Sequence, residues 1–440
     1  MKRQLLTIGS LWVCSLLFAH PCSSGQEMQW IDHVEMYTSK RPPVEKRLFR
    51  SEVVERVIEE TVTLLKNEKL KWMFANCFPN TLDTTVFYES EPEDDTFVVT
   101  GDIPAMWLRD SSAQVWPYLM YANEDERLRK MIRGVILRQF RLVLLDPYAN
   151  AFYRDLSGKG EWQNDRTPMR GGIHERKWEI DSLCYVVRLA YHYWKVTGDD
   201  SVFTAEWMQV VESILTVFKD QQRKENRGNY SFLRVTDRQY DTLSNDGYGN
   251  PVRANGLIAS SFRPSDDATV YPFLIPSNFF AVTSLRQMEE ILLKVNKNKA
   301  MARACNVLYM EVGEALKKHA IHKHPTYGKI YAFEVDGYGN QLCMDDANIP
   351  SLLALPYICD VKPSDRIYQN TRKYLLSLDN PYFFKGKYAE GIGGPHIGMD
   401  MVWPMSIIIR AMTSENDEEI KLCVACLLYT SDAADEARSV

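Results

Sequence analysis

IDSLCYVVRLAYHYWKVT, residues 180–197, is the stretch whose reading decides the fold. Its apolar side chains Leu183, Cys184, Val187, Tyr191 and Trp194 recur at steps of three and four, the period of a helix that buries one face. Cys305, Leu308, Val312 and Leu316 repeat the pattern, and similar runs cover 51–75, 126–145, 203–219, 278–295, 364–377 and 402–412. Roughly eleven helices result, about what an all-α ring of paired helices needs. Between them lie loops rich in Gly, Pro, Asp and Asn. Two of these, YDTLSNDGYGNPV (240–252) and IYAFEVDGYGNQL (330–342), read as short β-hairpins. The predicted fold class is all-α: a toroid of helical hairpins with short β-hairpins in its loops.

The chain is long enough for one such ring, with 440 residues, 45% of them hydrophobic and 25% charged. A formal charge of -6, spread without long runs of one sign, excludes the basic footprint of a nucleic-acid partner. The start combines Lys2 and Arg3, an apolar stretch from Leu5 to Ala19, and the small residues Ser23 to Gly25. That is the layout of a secretory signal, so residues 1–25 are set apart and the protein is expected to be exported and soluble. A lipid anchor through Cys22 is the alternative, with His20 and Pro21 as poor neighbours for such a cleavage site. No later stretch reaches the ~20 apolar residues of a membrane span. The remaining cysteines are odd in number and scattered. Only Cys423 and Cys426 are spaced C-x-x-C, with no second pair or His cluster to complete a zinc site. Neither metal nor cofactor is expected.

One internal echo supports paired units. DGYGN occurs at 246–250 and 336–340, and each copy is followed by Asp-Asp-Ala, in RPSDDATVYPFLIPS and then in MDDANIPSLLALP. A unit of turn, acidic pair and helix recurs at a spacing of about 80 to 90 residues, as in a repeat architecture.

Polar groups then gather where a buried core would avoid them. The clusters are GDIPAMWLRDSS (Trp107, Arg109, Asp110), HERKWEID (His174, Glu175, Arg176, Glu179, Asp181), FRPSDDA (Arg263, Asp266, Asp267), MDDAN (Asp345, Asp346, Asn348) and EGIGGPH (Glu390, His396). Aromatic faces cover the C–H patches of a sugar, while carboxylates, amides and guanidinium forks fix its hydroxyls. Hydrolysis of a glycoside further needs two carboxyl groups, one protonated and one ionised. Plainer readings exist for each cluster: an Arg-Asp ion pair at 109–110, and a helix cap at Ser265-Asp266-Asp267 ahead of a helix near Ala268. A calcium site at the acidic pairs lacks the loop spacing it would need. The second carboxylate of the Asp-Asp pair pushes its neighbour's pKa up, as a general acid requires, whereas a helix start would push it down.

Together the clusters resemble glycoside hydrolase family 125, the exo-α-1,6-mannosidases, from about Trp72 to Leu422. NCFPNTLDTTV, TGDIPAMWLRDS, DPYANAF, ERKWEIDSLCY, FRPSDDA, DGYGN, MDDANIPSLL and GIGGPH stand in the family's order. The resemblance implies an (α/α)6 barrel, a metal-independent inverting mechanism and an α-mannoside substrate cut at its non-reducing end. It implies that Asp266 is the general acid, with Asp267 as second choice. The terminal mannose would be held by Trp107, Arg109, Asp110, Glu175, Arg176, Asp181, Arg263, Asp346, Asn348 and His396. Inversion would set the two carboxyl groups roughly 6.5–9.5 Å apart.

The chain departs from the family near its end. The family's general base is a glutamate in an MHESF-like motif followed by an aromatic-rich last helix, and residues 1–440 contain neither. EEIKLCVACLL (418–428) opens a helix, and YTSDAADEARSV (429–440) reads as a small, acidic, non-native tail. The expected organisation is therefore a signal at 1–25 and a single domain at 26–428, incomplete at its C-terminus. Glu390 is not promoted to the base merely for being the nearest glutamate. On this reading the chain hydrolyses little, and a mannose-binding remnant becomes an alternative to an enzyme. A third reading, a polysaccharide lyase on a similar toroid, fits an acidic chain with paired aspartates less well.

Overall fold

The computed structural model describes residues 37–386 and 389–436, with side chains to residue 429. The expected signal, Cys22 and the last residues of the tail lie outside them. Eleven helices of eight residues or more occur among the described residues. They are α1 (Glu52–Leu64), α2 (Glu68–Cys77), α3 (Leu108–Val115), α4 (Glu126–Leu145), α5 (Ile180–Thr197), α6 (Ala205–Gln221), α7 (Ile275–Lys294), α8 (Lys299–His319), α9 (Arg366–Leu375), α10 (Pro404–Met412) and α11 (Asp417–Glu436). The run read over 51–75 is two helices, because Asn67 leaves the helical conformation and caps α2 by accepting from the Leu70 amide. Ser51, Asp125, Asn298 and Asp365 cap α1, α4, α8 and α9 in the same way.

Burial sorts the helices into two layers. On α5 every residue from Ile180 to Tyr191 is buried, and α7 is nearly as enclosed, so both must sit inside the molecule. Outer helices bury one stripe: α8 covers Cys305, Leu308, Val312 and Leu316 and leaves Val307 and Met310 exposed. Between α4 and α6 the indole of Trp207 is fully buried against Phe140 and Phe203, at ring distances of 5.2 Å to each. Each such aromatic contributes about 1.5–3 kcal/mol by leaving water.

Short strands sit just ahead of the inner helices. β1 (Val86–Glu89) pairs with β2 (Asp95–Val98). β3 (Met106–Trp107), β4 (Ala151–Phe152) and β5 (Ile173–Glu175) form an antiparallel ribbon in the order β3-β4-β5. β6 (Phe273–Leu274) precedes α7 directly, and β7 (Ile321–His324) with β8 (Gly328–Tyr331) is a hairpin. β9 (Glu334–Val335) joins β6 to β10 (Gln341–Leu342), and β11 (Phe383–Lys385) pairs with β12 (Glu390–Ile392). The second DGYGN thus turns a hairpin, as expected. The first does not: residues 239–247 form two 3-10 turns, with Asn245 and Asp246 at φ 53° and 58°. Pro251 follows that turn where Gln341 follows the other, and a proline has no N–H for a ladder.

At the chain's end α11 packs on α10 through Ile407, Cys423 and Cys426, so the C-x-x-C pair fills an apolar seam. Glu419 accepts from Arg372 of α9 and Arg410 of α10. Lys69 of α2 donates to the Leu428 carbonyl at 2.6 Å, tying α2 to α11. That helix continues to Glu436, past the point where the sequence reads as a tail. No helix of the described residues is long and apolar enough to cross a membrane.

Candidate active site

One ribbon, β3-β4-β5, delivers polar side chains to the N-terminal ends of α3 and α5. β3 runs straight into α3, whose first turn carries Arg109 and Asp110; the segment after β5 leads through Lys177 and Glu179 to Asp181 in the first turn of α5. Arg109 is the hub. Its Nη1 lies 2.8 Å from Glu179 and 3.3 Å from Asp181, its Nε 3.5 Å from Asp110, and its Nη2 4.0 Å from Asp266. One guanidinium cannot neutralise four carboxylates in a site of this burial. Burial accordingly pushes Glu179 and Asp181 above the ordinary carboxylate range against the pull of Arg109.

Asp266 reaches this hub from a tight loop rather than from a helix start. Phe262 bridges to Ala268, the Asp266 amide donates to the Arg263 carbonyl at 2.9 Å, and Pro264 occupies the position that favours a preset φ. The reading of Ser265-Asp266-Asp267 as a cap is therefore corrected: the next helix begins at Ile275, so the acidic pair does not cap it. Asp266 itself stands at φ 71°, where Asp and Asn are the non-glycine residues best tolerated. The loop turns the two neighbours apart. Asp267 is buried and accepts from His396 Nδ1 at 2.9 Å, which raises the imidazole's pKa. Asp266 faces Arg109, and burial leads the forces that push its carboxyl up to about 6, with Lys177 pulling down and Glu175 pushing up.

Behind the hub the second acidic repeat supports the first. Asp346, fully buried, accepts from the Ser265 hydroxyl at 2.5 Å and from the Asn348 amide at 3.2 Å. Gly394 packs against it so closely that a Cβ there would come within 3.0 Å of its Oδ1. Arg263 is buried on Glu334 at 2.6 Å, and the other oxygen of Glu334 accepts from the Val270 and Tyr271 amides. Glu175 is held down to about 2: burial would raise it, but Lys177 at 3.5 Å and Arg234 at 3.0 Å prevail.

Not all predicted residues face the hub. Arg176 points away into Asp146 and Thr167, beside the stacked rings of Tyr148 and Tyr230. Trp107 is 7% exposed and packs edge-on against His174, whose Nδ1 meets the Tyr153 hydroxyl. His396, by contrast, stacks on Trp403 beside Tyr240 at the open side. Glu390 is committed elsewhere, to Arg410 at 2.8 Å and Lys385 at 3.4 Å.

Several buried oxygens at this hub accept no hydrogen bond: Asp110 Oδ2, Glu179 Oε1, Asp181 Oδ1, Asp266 Oδ1 and Asp267 Oδ2. Each such atom costs about 1–3 kcal/mol, a cost that a hydroxyl-rich ligand would offset. The model of glycoside hydrolase family 125, metal-independent α-mannosidases, matches residues 67–436. The chain belongs to this family. It is a glycoside hydrolase of the α-mannosidase type, and the α/α barrel read from its helical periods is the family's fold. Two similar proteins frame it. The meiotically up-regulated gene 157 protein of Schizosaccharomyces pombe is 44% identical over 411 residues, which are 89% of this chain and 81% of that protein. A Streptococcus pneumoniae structure, a non-productive substrate complex with α-1,6-mannobiose from work on metal-independent α-mannosidases, matches at a TM-score of 0.81 and 42% identity. That match covers 87% of this chain and 90% of the other.

Residue chemistry alone gave no separate role to four groups that hold residues of the site in place, two of them inside the HERKWEID cluster. Lys177, Glu179, Asp241 and Glu334 each hold a residue of the site in place. Lys177 and Glu179 were within a quoted cluster, and their burial beside opposite charge was the missing signal. Asp241 lies in the stretch misread as a hairpin, and Glu334 in a strand, where an acidic residue in an apolar run was the only hint.

Proposed function

We propose that this site hydrolyses terminal α-1,6-linked mannose with inversion, in an exported enzyme. Asp266 gives its proton to the glycosidic oxygen as the C1–O bond breaks. Water then adds to C1 from the opposite face, losing its proton to a second carboxylate. The single observation that carries this reading is the Asp266 carboxyl aimed at a guanidinium and three further acidic groups, among buried oxygens that accept no hydrogen bond, where burial pushes its pKa up to about 6. A pKa near the working pH suits a group that must give and regain a proton. Arg109, Asp110 and Asp181 would grip the hydroxyls of the terminal sugar, and His396 with Trp403 would border the open side. The α-1,6-mannobiose held by the Streptococcus pneumoniae neighbour supports the linkage, and the basic, apolar and small-residue order of 1–25 supports export.

A second reading, sugar binding without turnover, is favoured by one observation: Glu390, next to the GGPH segment, is tied to Arg410 and Lys385. One experiment separates the two. With α-1,6-mannobiose followed by proton NMR, hydrolysis with inversion releases β-mannose first. Release of α-mannose first would refute inversion, and saturable binding with no release would favour the second reading.

A further inference from the structure

We propose that Lys177 is the positioning residue of the general acid: its ammonium group, clamped by Asp241, holds the main chain of Asp266 in the left-handed conformation that turns the Asp266 carboxyl toward Arg109. This rests on the reading of Asp266 as the acid and extends it to a residue that does not touch the substrate.

The geometry is specific. Lys177 Nζ lies 2.7 Å from Asp241 Oδ1 and donates to the Asp266 carbonyl at 3.1 Å, with Glu175 at 3.5 Å completing its shell. Its side chain is 3% exposed, so the ammonium group cannot drift into water. Its own position is fixed from two sides: the Lys177 amide donates to Asn150, and the ammonium group sits over the Phe262 ring at 5.1 Å. Asp266 meanwhile holds a φ of 71°, a conformation that Asp tolerates better than most residues but that costs energy unless its neighbours select it. The Lys177 contact is made to the carbonyl of that strained residue. It fixes the peptide after Asp266, and so the opposite aim of the two successive carboxyl groups, Asp266 to Arg109 and Asp267 to His396.

Lys177 also acts on the acid through space. The charged groups around Asp266 are Lys177 and Glu175 from the β5 side, Arg109 and Asp110 from α3, Glu179 from the start of α5, and His396 from the loop before α10. Lys177 is the strongest of the charges holding the carboxyl down.

The test titrates the Asp266 carboxyl by carbon NMR, its signal assigned from the spectrum lost in Asp266→Asn. In Lys177→Met the midpoint should rise by about one unit or more. Turnover of α-1,6-mannobiose should fall about 10²-fold in kcat, with KM changed less than about threefold and the basic limb moved upward. Turnover of dinitrophenyl α-mannoside, whose leaving group needs no proton, should fall less than about tenfold. Asp241→Asn, which loosens the clamp without removing the ammonium group, should give the same selective loss in milder form and serves if Lys177→Met does not fold. An unmoved midpoint in a folded variant, or equal losses on both substrates, would overturn the proposal. Since the titration needs no turnover, a wild-type chain that fails to hydrolyse mannosides would refute the functional reading while leaving this one tested.

Discussion

The acidic pair at 266–267 shows how little separates two chemically identical neighbours until the backbone divides them. One peptide, pinned by Lys177, sends Asp266 toward a cationic hub and Asp267 into a hydrogen bond with His396. The Asp-Asp pair, Arg109, Asp110 and the repeat at 345–346 were legible in the sequence because dense polar groups stand out in loops. Their division of labour was not, since the φ of one residue and the reach of a lysine 89 positions away are not written in local composition. A stability prediction follows from the raised pKa of Asp266. Its charged form is disfavoured in the folded chain, so the contribution of Asp266 to stability should decline from pH 4 to about pH 6 and then level off. Asp266→Asn, compatible with a positive φ, should therefore be more stable above pH 6 by about 1 kcal/mol. That figure is discounted for a side chain 35% open to solvent, and the difference should vanish below pH 4. Denaturant melts at pH 4 and pH 8 check it, and a difference equal at both would contradict it.

The helices were read well, because a stripe repeating every three to four residues leaves few alternatives once it is ten residues long. α4 spans the predicted 126–145 to the residue, and α5, α8 and α10 carry the expected faces. What periodicity could not see were breaks and closures. Asn67 splits the first run in two, and the seam between α10 and α11 depends on Glu419 holding Arg372 at 2.9 Å and Arg410 at 2.8 Å. Charges so far apart in sequence give no local signal. Glu419→Ala should lower unfolding free energy by about 2 kcal/mol, since it removes the carboxylate shared by two largely buried guanidinium groups. Glu419→Gln should recover part of that loss. Equal stability of the alanine variant and the wild type would show that the seam rests on Ile407, Cys423 and Cys426 alone.

On the scale of the molecule, the repeat seen as two DGYGN copies has a spatial meaning. The acidic pair that follows each copy comes to the same place, with Ser265 of the first bonded to Asp346 of the second. A ring brings repeated loops to one mouth, which is why a site can be assembled from segments 129 and 157 residues apart. The family is described as metal-independent. Incubation with a chelator followed by gel filtration should accordingly leave mannoside turnover unchanged, and recovery only on adding a divalent cation would oppose that. The most direct measurement is a crystal structure of this chain with a sulfur-linked analogue of α-1,6-mannobiose. The account predicts the terminal mannose seated on Arg109, with the linking atom within hydrogen-bond reach of the Asp266 carboxyl. A sugar bound with Asp266 out of reach, or with Asp267 nearest the linkage, would contradict it.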